Sequence, residues 1–294
     1  MTEPVEGDAG ATYVQESLRA LRQGDRDRFL CVLAAPPRQR AGLATLYAFN
    51  LEIAGIAEKV SEPMLALIRL QWWRDALDEI AAGGRHRHYL VRALQELAAE
   101  GLDLAPLRRL LDAREIDADR DATMPDLAAM VAYAEATAGA LGEAAATLCV
   151  AGAGAGAELR QAARSAGTAY GLVGLLRATP HLARRRIVRL PIDLMREAGS
   201  SADRLRDLRP DANLPRVTAE VADRARSLLL EARGIAQGTA ERRAGIGALL
   251  PARLAAAQLE RLARYGYDPF AAGAVAESGL DIWRLLTARW SARI

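Results

Sequence analysis

Helical periodicity runs along nearly the whole chain and excludes most other architectures. Ala, Leu, Arg and Glu recur at spacings of three and four residues, whereas alternation of Val, Ile and Thr between turn residues does not occur. No internal repeat or shift in composition marks a domain boundary. The 294 residues are therefore predicted to form one all-α domain with its body over 13–270, a flexible N-terminus over 1–12, and a closing helical segment over 271–294.

Capping residues predict where several helices begin. Asp25 or Asp27 is expected to cap the second helix, and Ser61 to cap a helix whose first turn contains Pro63. The later helices are predicted over Tyr89–Glu100, Ala105–Glu115, Ile192–Ala198, Val217–Gln237 and Gly247–Tyr265.

The cysteines and the hydropathy pattern bear on the compartment. Cys31 and Cys149 lie far apart in apolar helical contexts, which predicts buried thiols in a reduced compartment. The N-terminal MTEPVEGDAGATY is acidic and polar, unlike a signal or transit peptide. The weakly polar run Ala136–Ala157 is rich in Ala and Gly and contains Glu143, so it is too weakly hydrophobic to span a membrane. We expect a soluble cytoplasmic protein, with peripheral contact at the inner face of the cytoplasmic membrane as a further option.

Arginine clusters carry most of the positive charge. A formal net charge of +2 provides no global field for nucleic acid, so none is expected as a partner. The segment GLVGLLRATPHLARRRIVRLP contains no acidic residue and has the arginines Arg177, Arg184, Arg185, Arg186 and Arg189. Taken alone, this segment indicates a phosphate-binding site, a patch for an acidic partner, or the remnant of an older site.

Other motifs favour ordinary structure over chemistry. The acids of WWRDALDE alternate with arginines, which predicts a solvated, salt-bridged helix face. DADRDATMPD has Ala122 and Ala128 where a calcium loop needs Gly and Glu, so a solvated connector is predicted. His86 and His88 of RHRHY lack further ligands nearby and indicate a surface turn. The sequence has no G-x-S-x-G, P-loop, Rossmann or H-E-x-x-H pattern.

One helix combines an aromatic residue, an amide and a carboxylate on one face. Tyr47, Asn50, Ala54 and Glu58 stand at i, i+3, i+7 and i+11 of a single predicted helix. This face fits the lining of a cavity. The alternative is an ordinary helix whose Asn50 and Glu52 bond to neighbouring helices.

Three blocks resemble the squalene/phytoene synthase family, in the same order and over residues 13–270: DRDRFLCVLAAPPRQRAGLATLYAFNLEI, YAEATAGALG and GLLRATPHLARRRIVRLP. The resemblance implies a single-domain, isoprenoid-synthase-like helical bundle around a central cavity, in a family that joins prenyl diphosphates head to head. It also implies that small residues such as Gly139 let helices approach closely. The cavity or ligand-binding candidates are Tyr47, Asn50, Glu52, Glu58, Tyr133, Gly139, Tyr170, Gly174 and Arg177.

The acids that serve this family are mostly missing. Its two aspartate-rich helices hold Mg²⁺ against the diphosphate groups. The corresponding positions of this chain are Ala54, Gly55 and Glu58 in the first motif, and Gly174, Arg177-Ala178 and His181-Leu182 in the second. Pro180 is expected to end the second helix early. One glutamate cannot build the metal clusters, so the comparison implies no Mg²⁺ cofactor, no metal site and no catalytic residue.

Two longer blocks, AFNLEIAGIAEKVSEPMLALIRLQWW and LLRATPHLARRRIVRLPIDLM, resemble the branch of this family that contains an assembly factor for respiratory complex I. That likeness implies a non-catalytic protein whose partner is a complex I subunit or assembly intermediate, or which keeps a prenyl or lipid ligand. The alternative is an active transferase that uses Arg177 and Arg184–Arg186 to hold diphosphate with altered metal dependence. A third option is a membrane adaptor whose basic segment contacts anionic lipid.

Overall fold

The chain folds into a helical bundle in a computed structural model that describes residues 6–60, 62–84, 86–150, 154–276 and 278–294. Within these ranges no strand forms, and Met124 and Pro191 make an isolated parallel bridge. The predicted all-α class is confirmed. The N-terminal segment that was expected to be flexible is helical from Glu6 onwards, and residues 1–5 lie outside the described ranges.

The first half of the bundle consists of α1 (Glu6–Gly24), α2 (Arg26–Ala34), α3 (Pro37–Ala54), α4 (Pro63–Ala81), α5 (Tyr89–Ala99), α6 (Ala105–Ala113) and α7 (Leu127–Ala134). The second half consists of α8 (Ala140–Cys149), α9 (Ala157–Arg184), α10 (Ile192–Ala198), α11 (Ala202–Arg206), α12 (Leu214–Gly238), α13 (Ile246–Arg264) and α14 (Asp281–Ser291). A π-helical turn, Glu135–Gly139, joins α7 to α8. The central helix is α9, which packs against α8, α12 and α13.

Asp25 caps α2, and Asp27 does not. The Asp25 carboxylate accepts a hydrogen bond from the Arg28 backbone N–H at 3.0 Å, whereas Asp27 lies two residues later and is buried. The expected Ser61 cap lies outside the described residues. Pro63 is the first residue of α4, where its missing N–H needs no partner.

Helix α9 continues through Pro180 to Arg184, so the prediction that Pro180 ends it early was wrong. Proline removes one helical hydrogen bond and disfavours helix in the preceding residue. Here Thr179 stays helical, and its hydroxyl donates to the Leu175 carbonyl at 3.1 Å. Leu176 and Ala183, on either side of the proline, are both buried. Their burial against the rest of the bundle offsets the local disadvantage of the proline.

Small residues allow α9 to cross the π-helical turn at very short distance. A Cβ added to Gly139 would lie 2.6 Å from the Thr168 hydroxyl, and one added to Gly167 would overlap the Ala138 carbonyl oxygen. No larger side chain fits between these backbones. This is the close approach that the YAEATAGALG block implied.

Both cysteines are free and buried, with 0% exposure for Cys31 and 3% for Cys149. Burial raises the pKa of the Cys149 thiol to about 12 and that of Cys31 well above its ordinary value. At a pH of about 8.5, where an exposed thiol is half ionised, native Cys149 therefore contains almost no thiolate.

We expect a thiol-specific reagent to leave both cysteines unmodified in the native protein and to label both after denaturation. Mass spectrometry of the labelled protein measures the result. Rapid labelling of native Cys149 near neutral pH would contradict its burial against α13.

Candidate functional site

A cavity of about 460 Å³ lies where the C-terminal part of α9 meets the start of α4 and the segment 114–121. We call it the α4–α9 cavity. Its apolar wall contains Ala54, Val60, Ala66, Leu175, Ala178 and Leu182. Charged side chains line the rest, including Glu58, Arg114, Asp117, Arg120 and Arg185. Three of the apolar positions, 54, 178 and 182, are those where the resemblance places acids.

Glu58 reaches this cavity from a short 3₁₀ turn and not from α3. That helix ends at Ala54, so the predicted single helical face through residue 58 is wrong in its last turn. The Glu58 carboxylate accepts a hydrogen bond from Arg185 at 2.5 Å and lies 3.2 Å from the His181 ring nitrogen. A cationic side chain thus already pairs with the acid that remains from the first motif.

Tyr133 belongs to a half-buried polar triad that lines the same cavity. Its hydroxyl donates to Asp117 at 2.8 Å and accepts from Arg114 at 2.8 Å. Burial raises the pKa of Tyr133, although Arg114 acts in the opposite direction. The tyrosine therefore stays protonated and acts as a donor. Asp117 was predicted to lie in a solvated connector; it is instead fixed within the site because the triad anchors the start of that segment.

The basic run after α9 divides into residues with different roles. Arg189 is 5% exposed, and its guanidinium donates to the carbonyl oxygens of Ile116, Asp119 and Ala122. It therefore holds the 116–122 segment in place. Arg186 pairs with Asp207 at 2.9 Å, while Arg184 is exposed in the last turn of α9. The expected basic patch is thus not continuous, since Arg189 lies inside the protein.

Arg177 lies in a second polar cluster, deeper in the bundle. Its guanidinium donates to the Asp27 carboxylate at 2.7 Å, and Gln258 donates to the same oxygen at 2.7 Å. Arg28 lies 4.9 Å above the ring of Tyr170, whose pKa is raised by burial. Arg177 was a candidate for holding diphosphate, but in this structure its charge is compensated by Asp27.

The remaining candidates do not converge on the α4–α9 cavity. Tyr47 and Asn50 are 2% and 3% exposed, and the side-chain oxygen Oδ1 of Asn50 has no hydrogen-bond partner among the described residues. Glu52 points towards solvent and pairs with Lys59 at 2.6 Å, so it does not bond to a neighbouring helix. Gly174 is half-buried, and an added Cβ there would meet nothing within 4 Å.

The sequence did not predict a site role for Asp27, Arg114 and Gln258 of the two polar clusters, or for Arg120, which lines the cavity. The DRDR repeat marks Asp27 as one of two possible caps, but periodicity does not show which aspartate turns inward. Arg114 and Arg120 flank an acidic stretch to which Arg189 donates hydrogen bonds from a distant part of the chain.

The acids of the α4–α9 cavity do not fit magnesium clusters. Magnesium requires several carboxylate, phosphate or water oxygens in octahedral array. Glu58 is paired with Arg185, and Asp117 is held by Tyr133 and Arg114. The other carboxylates that line the cavity belong to Glu62, Asp119 and Asp121. Over the described ranges, no group of three or more His, Cys, Asp or Glu residues is placed to hold a metal ion.

Comparison with known proteins identifies the family of the chain. The squalene/phytoene synthase family model matches residues 21–291. The chain belongs to the squalene/phytoene synthase family. Within the described part of this family member, no helix is long and apolar enough to cross a membrane.

Two groups of curated relatives are similar to the chain. The complex I assembly factor 6 proteins of Bos taurus and Mus musculus are 32% and 31% identical over 217 residues, which is 74% of this chain and 64% of each relative. The chain thus spans a little under two thirds of their length. A presqualene diphosphate synthase from Rhodopseudomonas palustris is 27% identical over 190 residues, covering 65% of this chain and 67% of the relative.

Solved structures support the isoprenoid-synthase fold. A squalene synthase from Alicyclobacillus acidocaldarius superposes with a TM-score of 0.76 at 20% identity, covering 90% of this chain and 98% of that one. A dehydrosqualene synthase superposes with a TM-score of 0.75 at 17% identity, covering 96% of both chains. These likenesses concern the fold alone.

Proposed function

We propose that this chain is a non-catalytic member of its family that assists the biogenesis of respiratory NADH dehydrogenase, complex I, by binding a protein partner. Its similarity to the assembly factor 6 proteins supports the pathway. The observation that carries the loss of catalysis is the α4–α9 cavity, where Ala54, Ala178 and Leu182 stand in place of acids and Arg185 neutralises Glu58.

The chemistry of prenyl transfer connects that cavity to the proposed loss of catalysis. Ionisation of an allylic diphosphate places new negative charge on the leaving group, and the family neutralises it with magnesium. The apolar wall at positions 54, 178 and 182 provides no ligand for that ion, and Arg185 pairs with Glu58, the one motif carboxylate that remains. We infer that the cofactor has been lost and that the cavity offers a recessed surface for a subunit, an assembly intermediate, or a retained prenyl or lipid ligand.

The test is deletion of the gene in the organism that encodes it. We expect several-fold lower NADH oxidation by isolated membranes and loss of assembled complex I on native gels, both restored by the wild-type gene. A Glu58→Ala variant should restore assembly as well, because Glu58 completes an ion pair and no reaction. Normal complex I in the deletion strain would overturn the proposal, and failure of a normally accumulating Glu58→Ala variant would favour chemistry.

A prenyl diphosphate transferase with altered metal dependence is the second candidate. The arginines Arg114, Arg120 and Arg185 beside the apolar wall favour it, because guanidinium groups match phosphate oxygens and the wall suits a prenyl chain. Purified protein incubated with farnesyl or geranylgeranyl diphosphate and Mg²⁺ should release no pyrophosphate if our main proposal is right. Sustained release of pyrophosphate that Arg185→Gln abolishes would overturn the main proposal in favour of an active transferase.

A further inference from the structure

An arginine-lined cavity lies on the far part of the chain, away from both polar clusters. We call it the arginine cavity; its volume is about 640 Å³. The residues that line it come from α12, the 3₁₀ turn Ala240–Arg242 that follows it, α13 and the chain after α14. They are Arg233, Arg242, Arg253 and Arg293 together with Ala236, Gln237, Ala292 and Ile294. No acidic side chain is among these lining residues.

The side chains of two of these arginines have no hydrogen-bond or ion-pair partner among the described residues. The Nε atoms of Arg242 and Arg253 are buried and have no hydrogen-bond partner, and no described residue pairs with either guanidinium. Arg233 donates to the main-chain oxygen of Ile294 at 2.6 Å. Buried cationic donors without a partner are unfavourable. An anion with several oxygens, such as a phosphate group, would satisfy them, because guanidinium forks match its geometry.

An apolar groove continues from the arginine cavity, and Arg233 lines both. The groove has a volume of about 590 Å³ and runs between α12 and α13. Its apolar lining consists of Leu229, Leu230, Ala256, Leu259 and Ala263. Glu260 is the acidic residue among those that line it. Leu230 is 65% exposed at the edge. A cationic cavity joined to an apolar groove matches a molecule with a phosphate head and an aliphatic chain.

Helix α14, which leads into the cavity-lining residues Ala292, Arg293 and Ile294, has two exposed tryptophans. Trp283 and Trp290 are 62% and 72% exposed, and their spacing of seven residues places them on one helical face. Trp290 stands just before Ala292, which lines the arginine cavity. Exposed tryptophan is unusual on a water-facing surface but is typical of the boundary between lipid and water.

We propose that the surface formed by α12, α13 and α14 binds a bilayer that contains anionic phospholipid. A lipid phosphate occupies the arginine cavity, an acyl chain lies in the apolar groove, and the two tryptophans enter the interface. The basic run after α9 suits this role less well, because Arg185 and Arg186 are ion-paired and Arg189 is buried. This proposal is independent of any role in complex I assembly.

The experiment is flotation of the full chain with phosphatidylcholine vesicles, with and without phosphatidylglycerol. We expect binding to the anionic vesicles that weakens as salt is added. Arg242→Gln/Arg253→Gln should lower the affinity about 30-fold, since each arginine near such a surface contributes about 1 kcal/mol and tenfold corresponds to about 1.4 kcal/mol. The control is Arg19→Gln/Arg22→Gln, which removes the same charge from exposed positions of α1 and should bind like wild type.

Other outcomes overturn the proposal. If both double variants bind anionic vesicles equally weakly, net charge alone explains the effect. If Arg242→Gln/Arg253→Gln floats like wild type, the arginine cavity is excluded as the lipid-binding site. If glycerol phosphate raises the melting temperature while vesicles do not bind, the site takes a free phosphate compound. If an acidic amphipathic peptide binds and vesicles do not, the surface is a protein interface. Lipid-free Arg253→Gln should be at least as stable as wild type, because no ion pair is lost.

Discussion

Asp27→Asn is expected to lower the free energy of unfolding by about 2–3 kcal/mol, because it breaks the buried pair with Arg177. The Asp27 side chain is 11% exposed and the Arg177 side chain 24%, so the loss falls below that of a fully buried pair. The same carboxylate oxygen also accepts from Gln258 at 2.7 Å. Urea denaturation followed by circular dichroism measures the change. An unchanged denaturation midpoint would show that this cluster does not stabilise the bundle.

Asp75→Asn is the matched control, since it removes the same charge from an exposed helix face. Asp75 accepts a hydrogen bond from Gln71 on its own helix at 2.8 Å, and its loss should change stability by less than about 0.5 kcal/mol. In a double-mutant cycle, Asp27→Asn and Arg177→Gln together should cost clearly less than the sum of the single changes.

Gly167→Ala is expected to destabilise the protein by about 3 kcal/mol, at the upper end for overpacked sites. The new Cβ would overlap the Ala138 carbonyl oxygen and lie 3.1 Å from the Gly139 Cα, so α9 and the π-helical turn must separate. Backbone atoms cannot change rotamer to make room. Thermal unfolding of the purified variant measures the loss, and a melting temperature equal to wild type would contradict the helix crossing.

Gly174→Ala, on the same helix, is not expected to destabilise the protein. Its Cβ would meet nothing within 4 Å, and alanine is favoured over glycine inside a helix by about 0.5–1 kcal/mol. The variant should therefore be as stable as wild type or slightly more stable. Similar losses at positions 167 and 174 would indicate a general intolerance of α9 to substitution.

Much of the fold was predictable because helices depend on local periodicity and on capping. The helix α10 agrees with its predicted bounds, and α5 and α13 differ from theirs by about one residue. Local rules failed at Pro180, where the packing of both sides of a long central helix outweighs the proline. They also failed at Glu58, because α3 ends at Ala54 and a short 3₁₀ turn carries the carboxylate.

Of the candidate site, the sequence predicted only which family acids are missing. The blocks that resemble the family showed that acids are absent at positions 54, 178 and 182, because the absence of an acid depends on residue identity alone. They did not show that Arg189 faces inward to hold a distant loop, or that Arg177 finds Asp27, which precedes it by 150 residues. Such pairings arise from helices that meet through tertiary packing, and spacing along one helix contains no record of them.

The sequence by itself determined the all-α class, the family blocks and the lack of motif carboxylates, since each follows from local composition and order. Only the tertiary structure decided how the arginines of the chain are used. Arg177 and Arg185 pair with acids from other elements, and Arg189 is buried against carbonyl oxygens. The buried Nε atoms of Arg242 and Arg253 have no hydrogen-bond partner among the described residues. The reason is physical: whether a charged side chain is paired, buried or open to a ligand depends on groups that tertiary packing brings to it from distant parts of the chain.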